Sequence, residues 1–423
     1  MKNSNIVIFS LYNPLLNNIA SQRIEGFRNY LLKDGFNVHV ISRYYSTELR
    51  NGAISNVTCI PNSEFSETHE LSPLNYHLLD FEKSVTLERR IKKLPFPLGG
   101  IYAYYEIDPY HSIWADNAFE KFSSIHSKSK IDHIILSYGP PIVLKLARMI
   151  RKQFPEVKVL VDFRDLYINE SDGVFHLQMK KIVIQHIRKS VDAWLFISDG
   201  MKRYFELKTG TIKEKNLIVH NGISEDYFKA PAPDERDDSI IEQFNAIKST
   251  YRFVFLHTGS IYSGQDIGYF LQGLRETNSK QDKYVAFIFL GLADHDSSFT
   301  EQADVFSLGR VSHKTSSFLM KKSDGLILPI WKGRYTGWSG KTYEYLASGN
   351  KVLVGPEPQN ELLEFFNRNK NLLIFNKSLS FKEQFEMFLT RPLIQSKIDE
   401  SLFRGFWVQK LADFIRNKLE EQQ

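Results

Sequence analysis

Cysteine is all but missing from this chain of 423 residues, where Cys59 stands alone. A single thiol excludes a disulfide within the chain and any zinc site built on cysteines. Long apolar runs are missing as well, since no stretch reaches the ~18 residues that a membrane-spanning helix needs. The start, MKNSNIVIFSLYNP, is polar and then strand-like rather than a signal peptide, so a soluble, cytoplasmic chain is expected. There is no lysine- or arginine-rich block interleaved with aromatics, and the formal charge is only +5, which argues against nucleic-acid binding. Internal repeats and low-complexity segments are also lacking.

What is present is the composition of an ordinary globular protein, 42% apolar and 24% charged, at a length that suits two domains. Short, nearly all-apolar runs alternate with helical stretches. Strands are predicted at Ile6–Ser10, Val38–Ser42, His133–Ser137, Val157–Asp162, Ala193–Ser198 and Leu217–His220. A second series follows at Phe253–His257, Ala286–Leu290, Gly325–Ile330, Val352–Gly355 and Leu372–Phe375. Such runs fit strands buried on both faces of a parallel sheet. Helices at Ala20–Lys33, Pro141–Gln153 and Gln265–Arg275 fit the crossovers between them. The expected fold class is therefore α/β, with two doubly wound, Rossmann-like domains. Ala230–Asp238, APAPDERDD, is proline-rich and charged as linkers tend to be. The expected division is 1–225 for the first domain, 226–250 for a linker, 251–400 for the second domain and 401–423 for a C-terminal helix. The section Tyr44–Lys130 has weak periodicity and yields no clear elements.

Ligands of open α/β sheets bind beyond the carboxyl ends of the strands. Polar or glycine-containing segments stand at five such ends, beginning at Ser137, Asp162, Ser198, His220 and His257, and they outline an expected cleft between the domains. The most informative segment is Ser339–Pro356, SGKTYEYLASGNKVLVGP, a small-residue turn, a short helix, a glycine stop and a strand. Ser339 and Gly340 can expose amides at a helix start, and Lys341 adds a cation, which together suit a phosphate. Glu344, three residues on, shares the face of Lys341 and offers a carboxylate to a sugar hydroxyl. Both side chains also fit an ordinary solvated Lys–Glu pair.

The order of these segments resembles the retaining glycosyltransferases of GT-B type, family 4 and the related group 1 enzymes, along nearly the whole chain. ASQRIEGFRNYLLKDGFNVHVIS is similar to that family's opening helix and second strand, and SYGPP with VDFRDLY to a signature of its acceptor-side domain. LFISDGM and IVHNGISEDYF resemble its exit from that domain, HTGSIY its donor-domain glycine loop, and SGKTYEYLASGNKVL its nucleotide-sugar helix. The resemblance implies a GT-B architecture whose C-terminal helix, FRGFWVQKLADFIRNKLEE, crosses back to the first domain. It implies transfer of a sugar from a nucleotide diphosphate sugar to a glycan or lipid-linked acceptor, with retention, in cell-surface polysaccharide synthesis. No bound metal and no resident cofactor are expected, the nucleotide sugar being a co-substrate.

By the same resemblance Glu344 binds the ribose hydroxyls and Lys341 stabilises charge on the departing diphosphate, the two catalytic assignments. Gly259, Ser260, Arg334, Gly337, Trp338, Ser339, Gly340 and Thr342 complete the expected donor site. Arg23, Tyr138, Gly139, Asp162, Arg164 and Asp165 are expected on the acceptor side; Arg164 either binds an acceptor phosphate or holds a structural salt bridge. His220 is read as structural, and Gly222 as a turn residue at positive φ. The sequence departs from the family at Thr336, where many members carry a second glutamate, and at Gln265, where a lysine is common. The stretch 89–98, RRIKKLPFPL, is either a contact with an anionic membrane, placing the protein at the inner face of the cell membrane, or a solvated loop. Two other readings stay open: a GT-B nucleotide-sugar epimerase, and a catalytically silent subunit that binds a partner transferase.

Overall fold

The computed structural model describes residues 4–11, 19–43, 76–79, 109–139, 142–168, 172–229, 232–261, 264–279, 282–292, 302–330, 338–355, 362–363, 366, 371–376, 378–394 and 398–419. The stretch 89–98, Thr336, Arg334 and Gly337 lie outside them. The chain divides into two compact units, Met1–Asn221 with Trp407–Gln423, and Gly222–Phe406.

In the first unit seven strands form one sheet in the order β3-β2-β1-β4-β5-β6-β7. They are β1 Asn5–Ser10, β2 Asn37–Arg43, β3 Tyr76–Leu79, β4 His133–Tyr138, β5 Lys158–Phe163, β6 Ala193–Phe196 and β7 Lys215–Ile218. Every pairing is parallel. Ile6, Val7, Ile8 and Phe9 are all fully buried because successive side chains of β1 enter cores on opposite faces. Helices α1 Ile19–Lys33, α2 Pro109–Lys128, α3 Val143–Gln153, α4 Val174–Arg188 and α5 Asp199–Thr209 connect the strands. On α3 the buried residues Val143, Ala147 and Ile150 follow the 3.6-residue period, which turns one stripe to the sheet. The C-terminal residues Val408, Leu411, Ala412, Ile415 and Leu419 join Ile6, Ile24 and Phe27 in the core on one face of this sheet. That is the crossing-back C-terminal helix of the GT-B architecture.

In the second unit six parallel strands follow the order β10-β9-β8-β11-β12-β13. They are β8 Phe253–Thr258, β9 Val285–Leu290, β10 Val305–Ser307, β11 Gly325–Leu328, β12 Val352–Val354 and β13 Leu372–Ile374. Helices α6 Asp238–Thr250, α7 Gly268–Asn278, α8 His313–Lys322, α9 Gly340–Ala347 and α10 Phe381–Thr390 accompany them, and α11 Arg404–Phe414 begins here, its residues from Trp407 on belonging to the first unit. The order reverses between β8 and β11, so the loops that follow these two strands border the switch point where such sheets take ligands.

Three expectations are corrected in detail. Residues 226–250 are not a bare linker, because α6 lies there and buries Phe244 in the core of the second unit. The helix expected from Gln265 begins at Gly268, since Gln265 Nε2 donates to the carbonyl of Pro329 and the Asp266 carboxylate accepts from the amide of Tyr269. The edge strands β3 and β10 were not anticipated. On β10 only Val305 is buried, so the three residues lack the all-apolar signature of the inner strands.

Candidate functional site

At the carboxyl edge of the second sheet, Gly259, Gly291 and Gly309 follow β8, β9 and β10 with φ of 83°, 79° and 76°. This left-handed backbone is open to glycine and costly for other residues. The Gly259 amide donates to Leu290 O and the Gly291 amide to Gly309 O, which locks the three turns into one row. At Gly259 there is a second constraint: a Cβ would stand 2.9 Å from Cε and 3.1 Å from Nζ of Lys341. The glycine therefore lets the lysine lie against the loop, where its ammonium donates to Ser260 O at 2.8 Å.

Lys341 comes from the first turn of α9. The Ser339 hydroxyl caps that helix by accepting from the Thr342 amide at 3.3 Å and lies 3.0 Å from Thr342 Oγ1. The amides of Gly340 and Lys341 open the first turn of this helix, where the helix dipole favours negative charge. Trp338 is buried and stacks on Tyr343 at 5.1 Å, fixing the approach to the cap. The Tyr345 hydroxyl accepts from the Thr258 amide at 2.8 Å and lies 3.4 Å from His257 Nδ1, which pins the helix to the end of β8.

Burial sets the charges here. It pushes the Lys341 ammonium down to about 8, against the opposing pull of Glu344. It pushes the Glu344 carboxyl up to about 6, opposed by the Lys341 charge, a hydrogen bond from Tyr227 and the Arg404 guanidinium. His257 is driven down to about 3 by burial and the nearby lysine, and Nδ1 sits 3.0 Å from Ile327 O, so it is a neutral ring under the loop. Gln265, in the position where the resemblance leads one to expect a cation, is occupied with Pro329 O.

Arg310, Tyr227 and Arg404 were not singled out from the sequence. Arg310 follows Gly309, is exposed, and its Cγ stands 3.6 Å from where a Gly291 Cβ would be. A glycine–arginine pair after a short strand was its available signal. Tyr227 and Arg404, which bear on the charge of Glu344, lie in distant segments, and no local pattern marks them. Among the described residues no three of His, Cys, Asp and Glu gather as metal ligands.

In the first unit Arg23 and Asp162 differ from expectation. Both are buried, and they face each other rather than solvent: Nε–Oδ2 is 2.9 Å and Nη2–Oδ1 is 2.6 Å, with Nη1 donating to Asn221 Oδ1 at 3.1 Å. The pair is an internal clamp from α1 to β5, stacked over Phe27. Tyr138 is buried too, against Phe163 and Tyr167. Arg164 pairs with Asp165 at 3.0 Å and donates to Gly139 O at 3.0 Å. Gly139, at φ 124°, makes room for it, since a Cβ there would meet Nη2 at 2.5 Å. His220 lies against Trp407, and burial with the Arg23 and Lys410 charges lowers it to about 4. Gly222 has φ 53°, as its turn required.

No family model matches the sequence, and no curated protein matches it. Solved structures do match in shape. A structure titled as the N-terminal domain of trehalose-6-phosphate phosphatase from Candida albicans superposes with a TM-score of 0.64 at 12% identity, covering 100% of this chain and 97% of that one. A glycosyltransferase from Rickettsia africae gives 0.61 at 11% identity, covering 99% and 100%. A UDP-GlcNAc 2-epimerase from Methanocaldococcus jannaschii gives 0.53 at 11%, covering 98% and 99%. The fold is GT-B over the full chain. No described helix is long and apolar enough to cross a membrane.

Proposed function

We propose that this chain is a retaining, metal-independent glycosyltransferase that moves a sugar from a nucleoside diphosphate sugar to a glycan or lipid-linked acceptor. The observation that carries this reading is the Lys341–Glu344 pair on the capped start of α9, held against the Gly259–Ser260 loop. In this reading the Gly340 and Lys341 amides and the Lys341 ammonium hold the diphosphate, and Arg310 stands by the same glycine row. As the bond to the sugar breaks, negative charge grows on the outer phosphate. A fixed cation in a poorly hydrated site stabilises that charge more than it stabilises the ground state. Glu344 accepts from the two ribose hydroxyls through charge-assisted bonds. The acceptor belongs to the first unit, with Arg164 and Asp165 just beyond the end of β5.

The epimerase among the structural matches supports a second reading, conversion of a nucleotide sugar without an acceptor. Both readings need the same donor site. Incubation of the purified protein with UDP-, GDP- and ADP-sugars, with and without chelator and without acceptor, separates them. Slow release of nucleoside diphosphate that persists in chelator fits the transferase, and a changed sugar on an intact nucleotide fits the epimerase. No binding of any nucleotide sugar contradicts both.

A further inference from the structure

Helix α9 grips the end of β8 at two points. Backbone pairing of β8 with β11 ends at Leu256–Leu326, short of the ends of both strands. Beyond it, side chains take over from the backbone. The Ile327 carbonyl lies 3.0 Å from His257 Nδ1 and can only accept, so this nitrogen carries the proton and donates. The Thr258 amide donates at 2.8 Å to the Tyr345 hydroxyl, which also lies 3.3 Å from Thr258 Oγ1 and 3.4 Å from His257 Nδ1. Tyr345 and His257 are both fully buried, their rings edge-on at 6.3 Å. One turn earlier on α9, Lys341 donates to Ser260 O at 2.8 Å. Lys341 and Tyr345 stand at positions i and i+4, on one face of the helix, and they hold Ser260 and Thr258, the two neighbours of Gly259.

We infer that Tyr345 is a positioning residue for Lys341: its hydroxyl, bonded to the Thr258 amide, docks the Gly259 loop on α9 and so fixes where the ammonium stands. The two contacts differ in what a ligand asks of them. A diphosphate competes with Ser260 O for the N–H donors of the ammonium. It draws on nothing that the Thr258–Tyr345 bond uses, because that bond joins a backbone amide to a hydroxyl inside the fold. Loop and helix therefore stay in register whichever partner Lys341 takes. Phenylalanine at 345 would fill the same space and leave the Thr258 amide buried without its acceptor, which drives the loop to shift. Any shift is felt at Gly259, where the lysine leaves no room for one more carbon. The inference rests on the donor-site reading for its purpose, though not for the test at Lys341 itself.

Tyr345→Phe is compared with Gly273→Ala, a change in the same unit that sets a carbon against Phe381 on α10 and leaves α9 alone. Ligand-free, full-length protein is acylated with trace acetic anhydride across a pH series, and the rate at Lys341 is read by mass spectrometry. The midpoint of that profile should rise by about half a pH unit or more in Tyr345→Phe, since a displaced ammonium is better hydrated, and stay in place in Gly273→Ala. The nucleoside diphosphate that wild type binds among UDP, GDP and ADP should bind Tyr345→Phe about 10-fold more weakly and Gly273→Ala as it binds wild type. Wild type supplies a check that needs no folded variant. His257–Thr258 is the one His–Thr step in the sequence, so 13C-carbonyl histidine with 15N-threonine isolates the Thr258 amide. That amide should exchange with solvent about 100-fold or more slowly than an open one. An unmoved Lys341 midpoint or undiminished nucleotide binding in Tyr345→Phe overturns the inference, as does an equal rise in Gly273→Ala or rapid exchange at Thr258. A raised midpoint in Tyr345→Phe when wild type binds no nucleotide upholds the positioning of Lys341 and overturns the donor-site reading.

Discussion

Lys341 and Gly259 occupy one another's space: the lysine crosses so close over the glycine that a single added carbon would stand 2.9 Å from its Cε. The left-handed turn at Gly259 and the ammonium at Ser260 O are thus one construction. Gly259→Ala should fold with a strained loop and a displaced lysine. The expected result is nucleotide binding about 10-fold weaker or worse, the loss of one charge-assisted contact, measured by calorimetry.

The pH dependence of nucleotide binding should be a bell. Glu344 must be ionised to accept hydroxyls, so affinity rises through about 6; Lys341 must be protonated to meet phosphate, so affinity falls through about 8. The two groups interact, so the flanks belong to the pair. Glu344→Gln should remove the acid flank and leave the alkaline one, which a calorimetric pH series would read.

Stability should respond to Glu344 in the opposite sense. Its folded value lies above the usual 4.5, so the folded protein favours the protonated form and loses stability as pH rises between 4.5 and about 6. At neutral pH Glu344→Gln should therefore raise the unfolding temperature of the free protein while it weakens nucleotide binding, a contrast visible in thermal unfolding with and without ligand.

In the first unit two arginines that look alike in sequence should behave differently. Arg23→Ala leaves Asp162 buried and unpaired, at a cost of about 3–5 kcal/mol. Arg164→Ala frees a carboxylate, Asp165, that is already 58% exposed, and should cost about 1 kcal/mol or less for the ion pair. Denaturant unfolding of the two variants measures the difference.

Gly273→Ala should destabilise, although alanine is worth about 1 kcal/mol more than glycine inside a helix. A Cβ at Gly273 would enter the Phe381 ring at 2.2 Å, and relieving such overpacking typically costs about 1–3 kcal/mol. A lower melting temperature is expected.

The inner strands and the α9 segment were legible in the sequence because their signals are local. An apolar run, a serine cap, a lysine and a glutamate at helical spacing all fall within a few residues of each other. Relations between distant segments are not local. Asp162 finds Arg23 across 139 residues, and the Glu344 charge answers to Tyr227 and Arg404 from opposite ends of the second unit. The motif DFRD therefore suggested an acceptor-side role for Asp162, whose partner lies on the first helix. β10 escaped notice because an edge strand with one buried residue has no apolar run to read.

In the proposed reading α9 with the Gly259–Ser260 loop binds the diphosphate and ribose of a nucleotide sugar. Calorimetric titration of wild type, Lys341→Ala and Glu344→Gln with UDP, GDP and ADP, in chelator near pH 7, tests it most directly. One of the three nucleotides should bind wild type, and bind each variant about 10-fold or more weakly. Binding of none of them, or binding untouched by both substitutions, would contradict it.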